Sequence, residues 1–442
     1  MHLIFENAIP NLIELWTGAF KGLDHGTHNY ELVPTVWDAI GAATASSGPS
    51  LPYAFCSRPP NIATYEKAQC TADSWSFWTQ YIAPVIMENR FTSQQYYDHF
   101  VDFIKLLRTC LQFELTRDDV NYIRQGYKNW VLKYEERFYY QYSPDRLAVC
   151  TVTAHALLHI ADSIEATGPV WTAWAFPMER FCGSLQGAIK SRRYPYASIN
   201  NYVVNAARLT QLQLIYNLQH ELSLRKVAKE SYGFSHDDYP TCVLLPPHSN
   251  APLEPRLLRK IINHLTTTYN STVTVIRAIC ASAKIEQWGK VRRLQGGDTV
   301  HASALVNARE DTRDATYVRY EALVDKYARQ PRRKPEYTME TFYGRLAHIF
   351  VVTLPPSTPL GNAVPTTHIL AAIETCEIER SRPDVDIHYY SKLGALDMVD
   401  ITCLQCLVGR IPHEGRWAII DRSGDLARAI YAADEGGEAV VS

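Results

Sequence analysis

The chain has 442 residues, 46% of them hydrophobic and 20% charged, with a formal net charge of −2. That length exceeds one ordinary core and sets an expectation of two or three domains, while the composition excludes a disordered or collagen-like chain. The near-zero charge excludes a protein that is basic throughout, so contact with nucleic acid has to come from local basic patches. Ten cysteines are scattered without a framework spacing and no secretory leader is visible, the pattern of an intracellular protein with reduced thiols. No apolar run approaches the ~20 residues of a membrane span, so no membrane partner is expected.

The chain opens apolar. Leu3, Phe5, Ile9, Leu12, Ile13, Leu15 and Trp16 fall on a helix-like stretch that needs a partner surface. It reads either as a docked N-terminal helix or as a start inside a longer domain. Residues 18–60 are rich in Gly, Pro and Ser and predict loop with a short helix near 36–44. From 71 to 165 the pattern is helical. Phe100, Ile104, Leu107 and Leu111 recur at three and four residues, and Val120, Ile123, Tyr127, Trp130 and Tyr134 do the same. Thr116 and Asp119 have capping-box spacing with Asp in place of Glu. Residues 147–165 read as one further helix, stopped by Gly168-Pro169.

Residues 151–195 carry the most chemistry. His155 and His159 stand four apart, on one helix face. Pro177 suits the first turn of a new helix. On that helix Glu179, Gly183, Gln186, Lys190 and Arg193 form one polar stripe, and Met178, Phe181, Leu185 and Ile189 a separate apolar stripe expected to be buried. The polar stripe is acidic at its start, where a carboxylate can hold a divalent cation. It is basic at its end, where Lys190, Arg192 and Arg193 can hold a phosphate backbone. The same charges also suit the helix dipole alone, which needs no ligand.

Residues 155–196 resemble the C-terminal core of CACTA-class transposases, the En/Spm-type plant and fungal elements. The shared features are His155-x-x-x-His159, Gly168-Pro169-Val170, the aromatic-rich approach to Pro177-x-Glu179-Arg180, and a basic stretch after it. The opening Met1-His2-x-x-x-Glu6-Asn7 is similar to that family's Asp-x-Met-His-x-x-x-x-Asn motif. The fungal branch is the nearest in pattern. The resemblance implies a nuclear cut-and-paste transposase acting on transposon ends. It also implies an RNase H-like core in which three acids hold two Mg²⁺ ions for in-line displacement at phosphorus. Glu179 then corresponds to the third acid, and His155 and His159 to a pair that contributes to a structural zinc site, whose four ligands are not completed by any metal-type cysteine spacing here. The family's second acid precedes the position of Met1 by two residues, and its first acid lies farther upstream. Asp73, Asp98 and Asp119 do not stand in the matching motifs. The chain is therefore expected to resemble the C-terminal part of a transposase, inactive alone unless a homo-oligomer or a partner in trans supplies the missing acids. The alternative is a non-catalytic scaffold that binds DNA, chromatin or protein.

Beyond residue 200 the signals are softer. Residues 201–229 continue helically with Arg208, Arg225 and Lys226, and a Pro-rich run over 240–255 reads as a linker. A helix is expected over 256–283. Lys290, Arg292, Arg293, Arg313, Arg319, Lys326, Arg329, Arg332, Arg333 and Lys334 make the middle locally basic, and Gly296-Gly297-Asp298 reads as a turn. Strands are expected over 342–352, 367–373, 398–401 and 417–421, and their irregular spacing suggests a small β-barrel. Cys403 and Cys406 read as buried thiols, and residues 434–438 as a frayed end. The expected class is α+β. A helical transposase-core remnant spans 1–235, a linker and basic helical middle region 236–335, and a β-barrel domain 336–434.

Overall fold

The computed structural model describes residues 2–23, 29–64, 70–219, 221–222, 233–294, 297–306, 313–327, 333–334 and 336–422. Met1, Arg225, Lys226, Gly296, Arg329, Arg332 and residues 434–438, all named above, lie outside them. A π-helical turn, Ile4–Ala8, runs into α1 (Ile9–Trp16), followed by α2 (Pro34–Ser46), α3 (Ala72–Phe77) and α4 (Ala83–Ile86). Two long helices, α5 (Gln94–Cys110) and α6 (Arg117–Lys133), precede α7 (Val152–Ala156), α8 (Ile160–Thr167), α9 (Phe176–Gln186) and α10 (Pro195–Ile215).

Helix α6 starts where its sequence supplies the cap. Thr116 Oγ1 accepts the Asp119 N–H at 3.2 Å, and the Asp119 carboxylate accepts the Thr116 N–H at 2.8 Å. Its buried face, Val120, Ile123, Tyr127 and Trp130, joins a core with Phe100, Phe103, Ile104 and Leu107 of α5. The opening apolar stretch docks there too. Trp16 meets Phe100 edge-on at 5.1 Å, and its indole N–H donates to the Tyr139 hydroxyl at 3.0 Å. His99 stacks on Trp130 at 4.3 Å, and the Trp130 indole donates to the His99 carbonyl at 2.9 Å. Burial pushes the His99 imidazole far below its ordinary pKa, to about 3.

Residues 147–165 do not form one helix. A 3₁₀ turn, Pro144–Val149, ends in non-helical backbone at Cys150, and Thr151 then caps α7 by accepting the Ala154 N–H at 3.2 Å. A second 3₁₀ turn, Leu157–His159, separates α7 from α8. The cap starts a new helix where apolar periodicity alone predicts continuation. Gly168 ends α8 with φ +87°.

The remaining chain forms one antiparallel sheet, completing an α+β fold. Its elements are β1 (Cys242–Ser249), α11 (Pro255–Thr268), α12 (Val273–Cys280), β2 (Lys284–Arg293), β3 (Thr299–His301), β4 (Tyr317–Asp325), β5 (Tyr337–Leu354), β6 (Thr366–Arg382), β7 (Ile387–Asp400), β8 (Leu404–His413) and β9 (Arg416–Asp421). Pairings β4–β5, β5–β6, β6–β7, β7–β9, β9–β8 and β8–β4 close a six-stranded ring. Strand β2, which carries β1 and β3, branches from the second half of β5 at Trp288↔Ile349 to Lys284↔Thr353. Residues 236–335, expected as linker and helices, thus contribute β1 to β4 as well as α11 and α12. The Pro-rich run is not a linker but an edge strand. Pro246 and Pro247 sit at the register irregularity between Leu245 and His248, where no ladder N–H is required of them.

Residues alternate between two cores along β5. Ile349 and Val351 face the main core, while Phe350, Val352 and Leu354 pack with Leu257, Ile261 and Leu265 of α11. The helical part and the ring share the main core, and polar contacts fix their junction. Buried Glu88 receives Arg380 at 2.6 Å and Tyr389 at 3.2 Å, and Ser50 Oγ donates to the Arg410 carbonyl at 2.6 Å. Gly409 admits the close approach of Leu51, whose Cδ2 would stand 2.8 Å from an added Cβ.

Candidate functional site

Helix α9 begins with Pro177 in its first turn and presents Glu179 two residues after it, exposed on the surface. The π-helical turn at the start of the chain lies beside it. His2 Nε2 stands 3.7 Å from Glu179 Oε1, and His2 Nδ1 contacts the Glu6 carboxylate. The Asn7 side-chain amide donates to the His2 carbonyl at 2.6 Å and holds that backbone in place. Two segments separated by more than 170 residues of sequence thus bring an imidazole between two carboxylates. Both ring nitrogens face acids, and the groups are solvated, so this geometry contributes at most about 1 kcal/mol to stability.

The basic residues lie elsewhere than expected. Helix α9 stops at Gln186, capped by Gly187, and Lys190, Arg192 and Arg193 stand exposed on the connector to α10. They therefore do not continue a stripe with Glu179. Gly183 and Gly187 weaken the helix by roughly 1 kcal/mol each relative to alanine, which outweighs the apolar period. The predicted apolar stripe is not buried either: Met178, Phe181 and Ile189 are all exposed.

His155 and His159 do share a face, with their Nε2 atoms 3.2 Å apart and His159 Nδ1 3.8 Å from Asp162. They offer two of the four ligands a structural zinc takes. Among the described residues no three His, Cys, Asp or Glu side chains converge as a metal-holding group. Glu179 and Glu6 offer carboxylates of the type that Mg²⁺ prefers.

Beside this cluster opens a cleft of about 750 Å³, absent from the sequence expectations. His2 and Phe5 from the chain start, Phe77 and Tyr81, Tyr127 of α6, and Trp174, Pro177 and Arg180 line it, together with Arg422 after β9. Arg422 lies over the Phe55, Phe77 and Tyr81 rings. Two thiols also line the cleft. Burial pushes Cys110 up to about 12 and Cys56 up to about 11, so both are held as thiols rather than nucleophilic thiolates. Of these residues His2, Trp174, Pro177 and Arg180 belonged to blocks with a visible motif. Phe5, Phe77, Tyr81 and Tyr127 are aromatic positions that sequence spacing cannot distinguish from core, and nothing in the spacing marks Cys56, Cys110 or Arg422.

Comparison of the chain with protein-family models, with curated proteins and with solved structures finds no match.

Proposed function

We propose that this chain is the C-terminal part of a CACTA-class cut-and-paste DNA transposase, with Glu179 as a metal-binding acid and Lys190, Arg192 and Arg193 as contacts to the DNA backbone. The carrying observation is the 3.7 Å approach of His2 to Glu179. It joins the two segments that separately resemble the family, beside a roomy cleft. On this reading the helical part is the helical remnant of an RNase H-like core, and the six-stranded ring is the small β-barrel module. The protein acts in the nucleus on transposon ends. Mg²⁺ would supply electrophilic stabilisation at phosphorus once a full set of acids is assembled. The family reading calls for two further acids that are not assigned here, so no chemical step is given to the residues present. Their own contribution is to hold Glu179 on a fixed helix start and to present cations on the following connector.

Binding to duplex DNA, followed by fluorescence anisotropy across a salt series, tests the proposal. Replacing Lys190, Arg192 and Arg193 together by alanine is expected to weaken binding and to reduce the salt slope by roughly 1 per cation removed. An unchanged slope removes the connector from the interface. Mg²⁺-dependent cleavage by the chain alone, abolished in Glu179→Gln, would overturn the assignment of missing acids.

A further inference from the structure

Two strands of the ring run on beyond it. Strand β8 leaves β4 at Tyr320, and β6 joins β5 only from Gly344. The stretch from Glu321↔Thr341 to Asp325↔Tyr337 is therefore a ribbon whose strands, among the described residues, pair only with each other. Its end is closed. The Lys326 N–H donates to the Glu336 carbonyl at 2.9 Å, and the Asp325 carboxylate accepts the N–H groups of Tyr327 at 3.0 Å and Glu336 at 3.1 Å. Leu323 and Met339 stand directly opposite each other, 64% and 61% exposed, and Tyr337 shares their face at 61%.

The two outer edges of the ribbon differ. The edge of β4, Glu321 to Asp325, is short and has an acid at each end, a common way of blunting an edge. The edge of β5, Tyr337-Thr338-Met339-Glu340-Thr341-Phe342, consists mostly of strong strand formers, with no Pro, Gly or Lys and a single charge. Residues 337–341 are all exposed. Such an edge is a row of unpaired N–H and C=O groups, a template for one more strand. The tip beside it is cationic. Lys326, Arg333 and Lys334 are exposed there, and the Arg333 guanidinium lies over the Tyr327 ring at 4.0 Å.

We infer that the β5 edge takes an extended peptide segment of another protein as an added antiparallel strand, with the acidic C-terminal end of that segment at the ribbon tip. Strand β5 runs from the tip into the ring, so an antiparallel guest runs from the ring to the tip and ends against Arg333 and Lys334. Tyr337 and Met339 receive alternate apolar side chains of the guest, and Glu340 on the other face selects a cation in its middle. A second copy of the ribbon does not supply the acids. Glu321 is held by Arg319 at 3.7 Å, Glu336 by Lys326 at 3.7 Å and Asp325 by backbone N–H groups, which leaves Glu340, away from the tip. Duplex DNA matches the cations but would meet four carboxylates, Glu321, Asp325, Glu336 and Glu340, along the same ribbon.

This inference does not rest on the DNA reading. A labelled peptide of the required pattern, Val-Thr-Val-Lys-Val-Thr-Val-Thr-Asp-Glu-Asp, is titrated into the full chain and followed by fluorescence anisotropy. Saturable binding is expected. Replacing the three acids at the peptide's end by lysine is expected to weaken binding roughly 10-fold. The variant Arg333→Glu/Lys334→Glu, at two exposed positions, is expected to reverse that preference, and retained circular dichroism confirms its folding. N-methylation of alternate peptide bonds is expected to abolish binding, because it removes the donors of the ladder. Absence of saturation overturns the inference, as does binding that survives N-methylation or a preference unmoved by the charge reversal. Duplex DNA binding that the double variant abolishes, with no peptide bound, gives the tip to nucleic acid and overturns it too.

Discussion

Helices α6 and α10 invite comparison, because both are long, both read as helical in sequence, and they differ in what their apolar residues touch. In α6 the residues Val120, Ile123, Tyr127, Trp130 and Val131 are buried on one face, and six charged residues stand on the remaining surface. In α10 nothing is buried and charge is nearly absent. The first is stabilised by the fold it helps to build. Among the described residues nothing covers the second. Apolar period thus identifies a helix without identifying what covers it, and the number of charges on the remaining face distinguishes the two cases.

That contrast can be broken by mutation. Trp130→Ala removes a ring packed on His99, Phe103 and Tyr134 and is expected to cost about 4 kcal/mol in a denaturant titration. A loss below about 1 kcal/mol would mean that the α5–α6 core carries no more stability than α10.

Acid sharpens the contrast. Burial lowers the pKa of His99 in α5 and also of His264, His301, His348, His368 and His413 in the sheet and α11. Helices α9 and α10 contain no histidine. As pH falls below the ordinary histidine value near 6.5, the unfolded chain takes up protons that folded His99 refuses until about 3. The unfolded state then binds more protons, so stability falls with falling pH, by up to about 1.4 kcal/mol per pH unit for this residue. His99→Gln should flatten the dependence of melting temperature on pH across that window. An equally steep dependence in the variant would remove His99 from the account.

The smallest effect belongs to α10. Leu214→Ala truncates an exposed side chain and is expected to change stability by no more than about 0.5 kcal/mol, since leucine and alanine are both good helix formers. A loss of several kcal/mol in calorimetry would mean that α10 is packed within its own chain.

Much of the helical part was legible because its signals are local. The Thr116 capping box, Pro177 at a helix start and Gly168 at a helix end act within one turn and stand where the sequence predicts. The strands over 342–352, 367–373 and 417–421 were legible as well, within longer elements. Four features were not. The β1–β2 edge was hidden by Pro246 and Pro247, which suit an edge strand as well as a linker. The break at Cys150 was masked by continuous apolar spacing. The end of α9 depended on two glycines outvoting a period. Of the candidate site, Glu179 and His2 were each visible as motif residues, but their approach to one another and the cleft beside them depend on tertiary packing, which no spacing encodes.

The junction between the two parts has a consequence for how the protein is made. Ser50 donates to the backbone of Arg410, 360 residues later in the chain. At about 5–20 residues per second, that partner emerges from the ribosome roughly 20 to 70 seconds afterwards. Until then Leu51, Phe55 and Glu88 have no strand to pack against. The helical half therefore waits with an open apolar face and a carboxylate whose arginines have not yet been synthesised. Yield in a cell should be governed by how well that interval is chaperoned, more than by the stability of the finished molecule.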